Sequence, residues 1–198
     1  RAARARRLRR MAGPPAGRMK LRAATPDDAA AIAGIYAPFV TGSAVSFETD
    51  PPDAAAMRAR IETGGGLYPW LVGEQEGQLV GYAYAARFRE RPAYRFAVET
   101  SVYLRRDACG QGLGSRLYAP LLATLEAQGF TQAIAAISLP NAASVVLHER
   151  LGFEPAGVYR RVGWKLGAWH DVGLWQRPLA EAVATPDEPR PPRLADFL

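Results

Sequence analysis

One glycine-rich segment has the residue types that hold an anion. It lies between a predicted strand and a predicted helix and consists of Cys109, Gly110, Gln111, Gly112, Leu113, Gly114 and Ser115. The first turn of a helix offers unpaired backbone N–H groups and a partial positive charge, and we therefore expect a phosphate or pyrophosphate here. The segment lacks both the Gly-Lys-Ser/Thr of nucleotide triphosphate loops and the G-x-G-x-x-G spacing of dinucleotide sites, which disfavours those two ligand classes.

Polar residues in two neighbouring elements could serve this segment. Glu99 lies in an otherwise apolar predicted strand, where burial would raise the pKa of its carboxyl group toward the range of a general base. A later predicted helix carries Asn141, Ser144 and His148 at spacings i, i+3 and i+7, which place them along one face. Three polar groups on one helical face indicate a site beyond simple packing.

The elements that position these residues alternate between strands and helices. Alternation and turn signals predict strands at 19–24, 67–72, 79–88, 95–104, 131–138, 157–164 and 168–175. Helices are predicted after Thr25-Pro26, after Pro51-Pro52, over 112–128 and from about 141 to 151. The order β-α-α-β-β-β-α-β-α-β-β favours an α/β fold with a mixed sheet of six or seven strands and helices on both faces.

Composition and charge exclude several classes of protein. The 198 residues are 48% hydrophobic and 22% charged, which is typical of one globular domain, and one cysteine can form neither an intrachain disulfide nor a zinc cluster. We expect a cytoplasmic protein without a membrane span. The net charge of +6 comes from residues 1–18, which hold seven arginines and no acidic residue. We expect 1–18 to be a disordered basic extension outside the chemistry, 19–179 the folded domain and 180–198 a poorly ordered proline-rich tail.

The glycine-rich segment and the polar helix together resemble the GNAT superfamily of N-acetyltransferases. That superfamily has a pyrophosphate loop of the form Gln/Arg-x-x-Gly-x-Gly/Ala and a following helix with Asn and usually Tyr, which here match 109–114 and 141–148. Within it, the chain is similar to the phosphinothricin and methionine sulfoximine N-acetyltransferase family over about 21–179. The similar stretches include SFET at 46–49, YPWLV at 68–72, LPN at 139–141 and WHDVG at 169–173. Cys109 departs from the pattern, because the loop normally begins with Gln or Arg.

The resemblance implies a GNAT fold, acetyl-CoA as the donor, no metal, a small amine as the acceptor and a homodimer. Backbone N–H groups in the stretch Val102, Tyr103 and Leu104 would hold the thioester oxygen. The loop at 109–115 would bind the pyrophosphate, and Asn141 and Ser144 the pantetheine arm. A thiol near a helix N-terminus could have a lowered pKa, although we prefer the interpretation of Cys109 as a small inert residue.

Two residues carry the catalytic roles that the resemblance implies. A free amine is mostly protonated at neutral pH, so Glu99 is the candidate base that removes its proton. The alternative is an outward carboxylate paired with Arg95 or Arg105. His148 takes the place of the tyrosine that protonates the departing thiolate, or else it orients the acceptor or polarises a water shared with Glu99. It could also be a structural histidine of its helix.

Candidate acceptor residues come from three further segments. Phe47, Tyr94 and Tyr103 could form an aromatic wall, and Arg89 and Arg91 could pair with a carboxylate or phosphinate. Packing alone is the alternative for each aromatic residue, and solvation for each arginine. The aromatic residues of the last predicted hairpin indicate core or dimer contacts rather than a ligand site, and they are Trp164, Trp169 and Trp175.

Three functions remain open from the sequence. The leading expectation is direct acetyl transfer from acetyl-CoA to a small amino-acid analogue such as phosphinothricin or methionine sulfoximine or sulfone. The acceptor could instead be another amine, such as an aminoglycoside, a polyamine or a protein N-terminus, although Arg89 and Arg91 favour an anionic acceptor. A non-catalytic CoA-binding module with a nucleic-acid arm is disfavoured, because both Glu99 and His148 are present.

Overall fold

The centre of the molecule is a mixed sheet. The computed structural model describes residues 19–63, 66–181, 183–193 and 196. Seven strands are formed by these residues: β1 (Lys20–Ala23), β2 (Trp70–Gln75), β3 (Gln78–Arg87), β4 (Ala97–Leu104), β5 (Gln132–Leu139), β6 (Glu154–Lys165) and β7 (Ala168–Pro178). Their spatial order is β1-β2-β3-β4-β5-β7-β6. All neighbours are antiparallel except β4 and β5, which run parallel.

Helices cover both faces of the sheet, as the sequence predicts. They are α1 (Ala29–Gly42), α2 (Ala54–Thr63), α3 (Leu113–Gln128) and α4 (Ala142–Arg150). One face packs Val72 and Tyr82 against α1 and α2, and the other packs Leu71 and Ala83 in the cluster that includes α3. Neighbouring strand residues point to opposite faces, so each strand contributes to both cores. The predicted α/β class and order of elements are confirmed.

Two helix starts follow from side-chain capping. The carboxylate of Asp28 accepts a hydrogen bond from the Thr25 N–H (2.7 Å) at the turn that leads into α1. The Asn141 Oδ1 accepts one from the Ser144 N–H (3.1 Å) at the start of α4. Both pairs satisfy backbone donors that the first helical turn leaves unpaired.

The β4 and β5 strands part soon after they begin. Their parallel pairing covers three positions, from Ala97 opposite Gln132 to Glu99 opposite Ile134. At the next position the Thr100 hydroxyl donates to the Ile134 carbonyl (3.3 Å) and bonds the hydroxyl of Tyr118 on α3 (2.6 Å). Tyr118 is fully buried. A buried side chain from α3 is therefore bonded to β4 at the place where the two strands separate.

The structure describes part of the C-terminal tail, and the predicted basic extension, 1–18, lies outside the described residues. The tail was predicted to be poorly ordered, whereas its described part lies along α3: the Arg190 N–H donates to the Gln128 carbonyl (2.9 Å), and the Thr124 hydroxyl donates to the Asp196 carbonyl (2.9 Å).

Among the described residues, no helix has the length and apolarity to cross a bilayer, and no cluster of three metal-binding side chains occurs.

Replacing Tyr118 by phenylalanine tests the hydrogen bond between the Tyr118 and Thr100 hydroxyls. This bond lies where β4 and β5 separate, a place that we call the fork. Tyr118→Phe removes one buried hydroxyl and leaves the ring, so we expect the free energy of unfolding to fall by about 1 kcal/mol. For a chain of this size that lowers Tm by roughly 2 to 4 °C, measured by calorimetry. Tyr94→Phe, at a ring that is 44% exposed, is the control and should leave Tm unchanged. Equal melting temperatures for both variants would contradict a stabilising role.

Candidate active site

The glycine-rich segment forms an exposed turn that ends at the N-terminus of α3. Gly110 and Gly112 have φ values of 76° and 75°, a left-handed conformation that favours glycine. A Cβ at Gly114 would lie 3.2 Å from the Leu147 Cδ2, so this third glycine lets α3 and α4 approach closely. Gly112 provides no side-chain cap, so the N-terminus of α3 keeps backbone N–H groups without a capping partner, which is the arrangement that binds phosphate groups.

Cys109 has no features of a reactive thiol. It ends a short 3-10 turn four residues before α3 begins, and burial, with the nearby Asp107 carboxylate, raises the pKa of its thiol. The lowered pKa considered from the sequence is therefore wrong. The interpretation as a small residue without chemistry agrees with this environment.

A narrow gap opens between β4 and β5 beyond the fork. This strand gap has a volume of about 50 Å³. Its lining includes Thr100, Ser101, Val102, Tyr103, Ala135, Ala136, Ile137, Ser138, Asn141, Ser144 and His148. The predicted pantetheine residues and two of the three predicted β4 residues thus meet at one place. Leu104, the third, instead packs against the core and lies near Gly114.

His148 reaches the strand gap as a buried imidazole. Its Nδ1 lies 2.7 Å from the Ser144 carbonyl oxygen, which requires a proton on Nδ1. The side chain is 4% exposed, and burial lowers its pKa against the opposing effect of that carbonyl. The Nε2 is buried without a partner among the described residues. A neutral imidazole in this tautomer accepts a hydrogen bond at Nε2 and has no proton there to donate, which favours an orienting role over that of an acid.

A larger cavity adjoins the gap on the face of the sheet that α1 covers. This Glu99 cavity has a volume of about 420 Å³ and a lining that includes Tyr36, Ser46, Phe47, Glu48, Tyr84, Glu99, Ser101, Tyr103, Ala136 and Ser138. Ser101, Tyr103, Ala136 and Ser138 also line the strand gap, so the two spaces lie side by side. The volume lies in the usual range for a small-molecule site.

Glu99 has the electrostatics of a base in this cavity. It is half-buried at the last position where β4 pairs with β5, and burial raises the pKa of its carboxyl group above the usual 4.5, against the lowering effect of Arg89. The predicted alternative partners are engaged elsewhere, since Arg95 pairs with Glu188 (2.8 Å) and Arg105 with Asp107 (2.6 Å). The structure thus does not place Glu99 in either ion pair.

The other carboxylate of the cavity, Glu48, is already engaged. Both its oxygens accept hydrogen bonds from Arg60 (2.7 and 2.9 Å), and the Tyr36 hydroxyl donates to one of them (2.9 Å). The Arg60 guanidinium lowers the pKa of Glu48, while burial raises the pKa of Tyr36 to about 12 and keeps it protonated. Glu48 therefore holds the cavity wall, and Glu99 remains as the carboxylate able to take a proton.

Phe47 lies in the wall of the Glu99 cavity, and contacts from β6 fix its position. We call these contacts, made by Gly163 and Lys165, the seat of Phe47. The Lys165 ammonium is buried and donates to the Ser46 carbonyl (2.6 Å), and burial lowers its pKa against the raising effect of Glu48. A Cβ at Gly163 would overlap the Phe47 ring, so glycine is required for this contact. Two residues of a distant strand thereby fix the segment that carries Phe47.

The remaining predicted acceptor residues lie in the β3–β4 connection. Arg89 stacks on Phe88 (4.6 Å from the guanidinium carbon to the ring centre), and Tyr94 packs edge-on against the same ring (5.7 Å). Arg91 is exposed at the start of a short 3-10 turn. Of the five predicted residues, Phe47 and Tyr103 line the Glu99 cavity, Arg89 acts on Glu99 through its charge, and Arg91 and Tyr94 stand outside the lining.

Comparison with known proteins identifies the family. The profile of the acetyltransferase (GNAT) domain matches residues 21–174. The chain belongs to the GNAT acetyltransferase family. Phosphinothricin N-acetyltransferase of Streptomyces viridochromogenes is 43% identical over 175 residues, covering 88% of this chain and 93% of that protein. The L-methionine sulfoximine/L-methionine sulfone acetyltransferase of Pseudomonas aeruginosa is 37% identical over 161 residues, covering 80% and 94%.

A solved GNAT structure shows the donor of a relative. The phosphinothricin acetyltransferase of Sinorhizobium meliloti in complex with acetyl-CoA has a TM-score of 0.81 and 41% identity, covering 91% of this chain and 97% of that one. The present chain is an acetyltransferase of the same family. The chain has features that fit acetyl-CoA: an α3 N-terminus without a side-chain cap for the pyrophosphate, a gap in the sheet, and the His148 Nε2, which has no partner among the described residues, beside it.

Several residues of the site were not predicted from the sequence. Tyr118, Gly163 and Lys165 lie in segments whose pattern indicates only core or strand, and no local signal marks their contacts. One signal could have identified Lys165, because the chain has only two lysines among its 25 basic residues. Glu48 follows Phe47 directly within the stretch that resembles the family, so it could have been considered with it.

Gly163→Ala tests the seat of Phe47. The new methyl group displaces the ring, so we expect the kcat/KM for the acceptor amine to fall roughly tenfold, equivalent to about 1.4 kcal/mol, while the KM for acetyl-CoA stays unchanged. Gly34→Ala is the matched control, because a Cβ there meets no atom within 4 Å on the exposed side of α1. Equal kcat/KM values for the acceptor in the two variants, measured by CoA release, would contradict the role of Gly163 in positioning Phe47.

Proposed function

We propose that the chain transfers the acetyl group of acetyl-CoA to the amino group of a small amino-acid analogue of the phosphinothricin or methionine sulfoximine and sulfone type. The observation that carries the proposal is a half-buried carboxylate, Glu99, in a cavity of about 420 Å³ that adjoins the strand gap. The names of the relatives support the acceptor class.

Glu99 acts as the general base in this proposal. The acceptor nitrogen forms a bond to the acetyl carbon while the carbon–sulfur bond breaks, and the proton that the nitrogen loses passes to Glu99 directly or through a water. A pKa raised by burial brings a carboxylate closer to the pKa of the amine it deprotonates. The sulfur that leaves takes up a proton from solvent, because the neutral His148 carries none at Nε2.

The residues around Glu99 orient the two substrates. Backbone N–H groups of β4 on the gap side, in the Val102 to Leu104 stretch, would hold the thioester oxygen. The amide N–H₂ of Asn141 remains able to reach the pantetheine arm, since its oxygen caps α4. The His148 Nε2 accepts a hydrogen bond in the same gap. Arg89, whose charge already acts on Glu99, faces the carboxylate or phosphinate of the acceptor.

Glu99→Gln tests the base. The amide keeps the shape of the side chain and cannot accept the proton, so we expect kcat to fall by roughly 10² to 10⁴. Assays of CoA release with phosphinothricin, methionine sulfoximine and methionine sulfone measure the loss. Glu126→Gln, on the exposed side of α3, is the control and should retain wild-type turnover. A loss of kcat below about threefold would remove Glu99 from the role of base.

The pH dependence of kcat gives an independent check. Glu99 must be deprotonated to act, and its raised pKa means that protonation sets in at a higher pH than for an ordinary glutamate at 4.5. We therefore expect kcat to decline as the pH falls through a value above 4.5, and this acid limb to vanish in Glu99→Gln. An acid limb that persists in the variant would belong to another group.

We further propose that the chain forms a homodimer through β6 and β7. The edge strand β6 and its hairpin expose large apolar side chains: Val158, Tyr159, Val162, Trp164, Leu166 and Trp169. The third tryptophan of the hairpin, Trp175, is 7% exposed and belongs to the core. Contiguous apolar surface of this kind favours a protein partner.

A double substitution tests this surface. Trp164 and Trp169 pack edge-on (5.3 Å between ring centres), so replacing both by serine removes the centre of the apolar surface. We expect wild-type chains to have the mass of a dimer in light scattering and the double variant that of a monomer. Val183→Ser, at an equally exposed apolar residue of the tail, should remain dimeric. A monomeric wild type, or a dimeric double variant, would contradict the proposed interface.

A further inference from the structure

A second cavity lies beside the Glu99 cavity and has no part in the reaction described above. It has a volume of about 520 Å³ and lies between α1, α2 and the strands β2 and β3. We call it the aromatic cavity, because Tyr36, Trp70, Tyr82 and Tyr84 line it. Tyr36 and Tyr84 also line the Glu99 cavity, so the two cavities share a wall.

The two cavities lie against neighbouring strands of the sheet. Ala86 on β3 is the register partner of Glu99 on β4, and it lines the aromatic cavity. Directly opposite residues of antiparallel strands point to the same face, with Cβ atoms about 4.5 to 5.5 Å apart. An α-amino acid with its amino group at Glu99 therefore needs to span roughly one strand spacing to place its side chain in the aromatic cavity.

The lining selects the chemistry of that side chain. The rings of Trp70 and Tyr84 stack with centres 4.2 Å apart and form an apolar wall. The charged groups at this cavity are already paired: Arg60 binds Glu48 (2.7 Å), and Arg87 lies 3.3 Å from Glu90. A carboxylate would have to compete for these arginines, and a cationic group would meet two arginines but one glutamate in the described lining. A neutral aromatic or long apolar group suits the cavity best.

We propose that the aromatic cavity is a side-chain subsite for acceptors that are α-amino acids with an aromatic or extended apolar side chain. The inference rests on the proposed function, because it places the acceptor amine at Glu99. The chain then acetylates this class, such as phenylalanine and homophenylalanine, in addition to short sulfone or phosphinate amino acids.

Two identical substitutions in different cavities test the subsite. Ala86→Leu fills the aromatic cavity, and Ala136→Leu fills the Glu99 cavity, which every acceptor must use. The measured quantity is the ratio of kcat/KM for L-phenylalanine or L-homophenylalanine to that for L-methionine sulfone. We expect Ala86→Leu to lower this ratio at least about tenfold, since a misplaced methylene in an apolar pocket changes selectivity by 10-fold to 200-fold. Ala136→Leu should lower both rates without such a fall in the ratio.

Other results would overturn the proposal. An unchanged ratio in Ala86→Leu removes the cavity from acceptor recognition. A selective loss of spermidine or lysine turnover in that variant, with phenylalanine unaffected, would show a cation site instead. Should Ala86→Leu not fold, Thr63→Phe narrows the same cavity from the exposed end of α2 and must give the same fall in the ratio.

A binding measurement separates this inference from the proposed function. Fluorine NMR of para-fluoro-L-phenylalanine with the full chain should show line broadening that Ala86→Leu abolishes. If the probe binds in this way while no amine is acetylated, the subsite stands and the proposed function fails. If methionine sulfone is acetylated while the probe neither binds nor turns over, the proposed function stands and the subsite is refuted.

Discussion

The separation of β4 and β5 after Glu99 is the constraint on which the site depends. A parallel pair that continued to its full length would satisfy the backbone of both strands and leave no gap. Here the Thr100 hydroxyl takes over the bond to the Ile134 carbonyl, and Tyr118 holds that hydroxyl from α3. The strand gap is thus built into the core.

The fork also explains why Glu99 and His148 differ in chemistry. Glu99 occupies the last position at which β4 pairs with β5, and it lines a cavity large enough to hold a small molecule. His148 packs edge-on against Tyr118 (5.2 Å between ring centres) and is held by its own helix at Nδ1. Burial raises the pKa of the first and lowers that of the second. Burial favours the neutral form of both groups, so the glutamate more readily gains a proton and the histidine more readily loses one.

The features predictable from sequence are those encoded within a few residues. The glycines of the α3 turn, the Asn141 cap and the alternation of each strand are local, and the structure has them near the predicted positions. Tyr118 was not predicted, because a tyrosine at a core position of a helix is typical of packing. The contacts of the tail are equally non-local: its prolines predict poor order, while its contacts with α3 join Arg190 and Asp196 to residues more than 60 positions away.

The acceptor side of the site was harder to predict than the donor side for a reason of chain topology. The donor groups lie within one stretch, from Thr100 to His148, and share its motifs. The acceptor wall joins segments far apart in sequence, as the bond from Lys165 to Ser46 shows across 119 positions. A change at Gly163, Lys165 or Ala86 can therefore alter the cavity walls without touching the α3 turn or the strand gap.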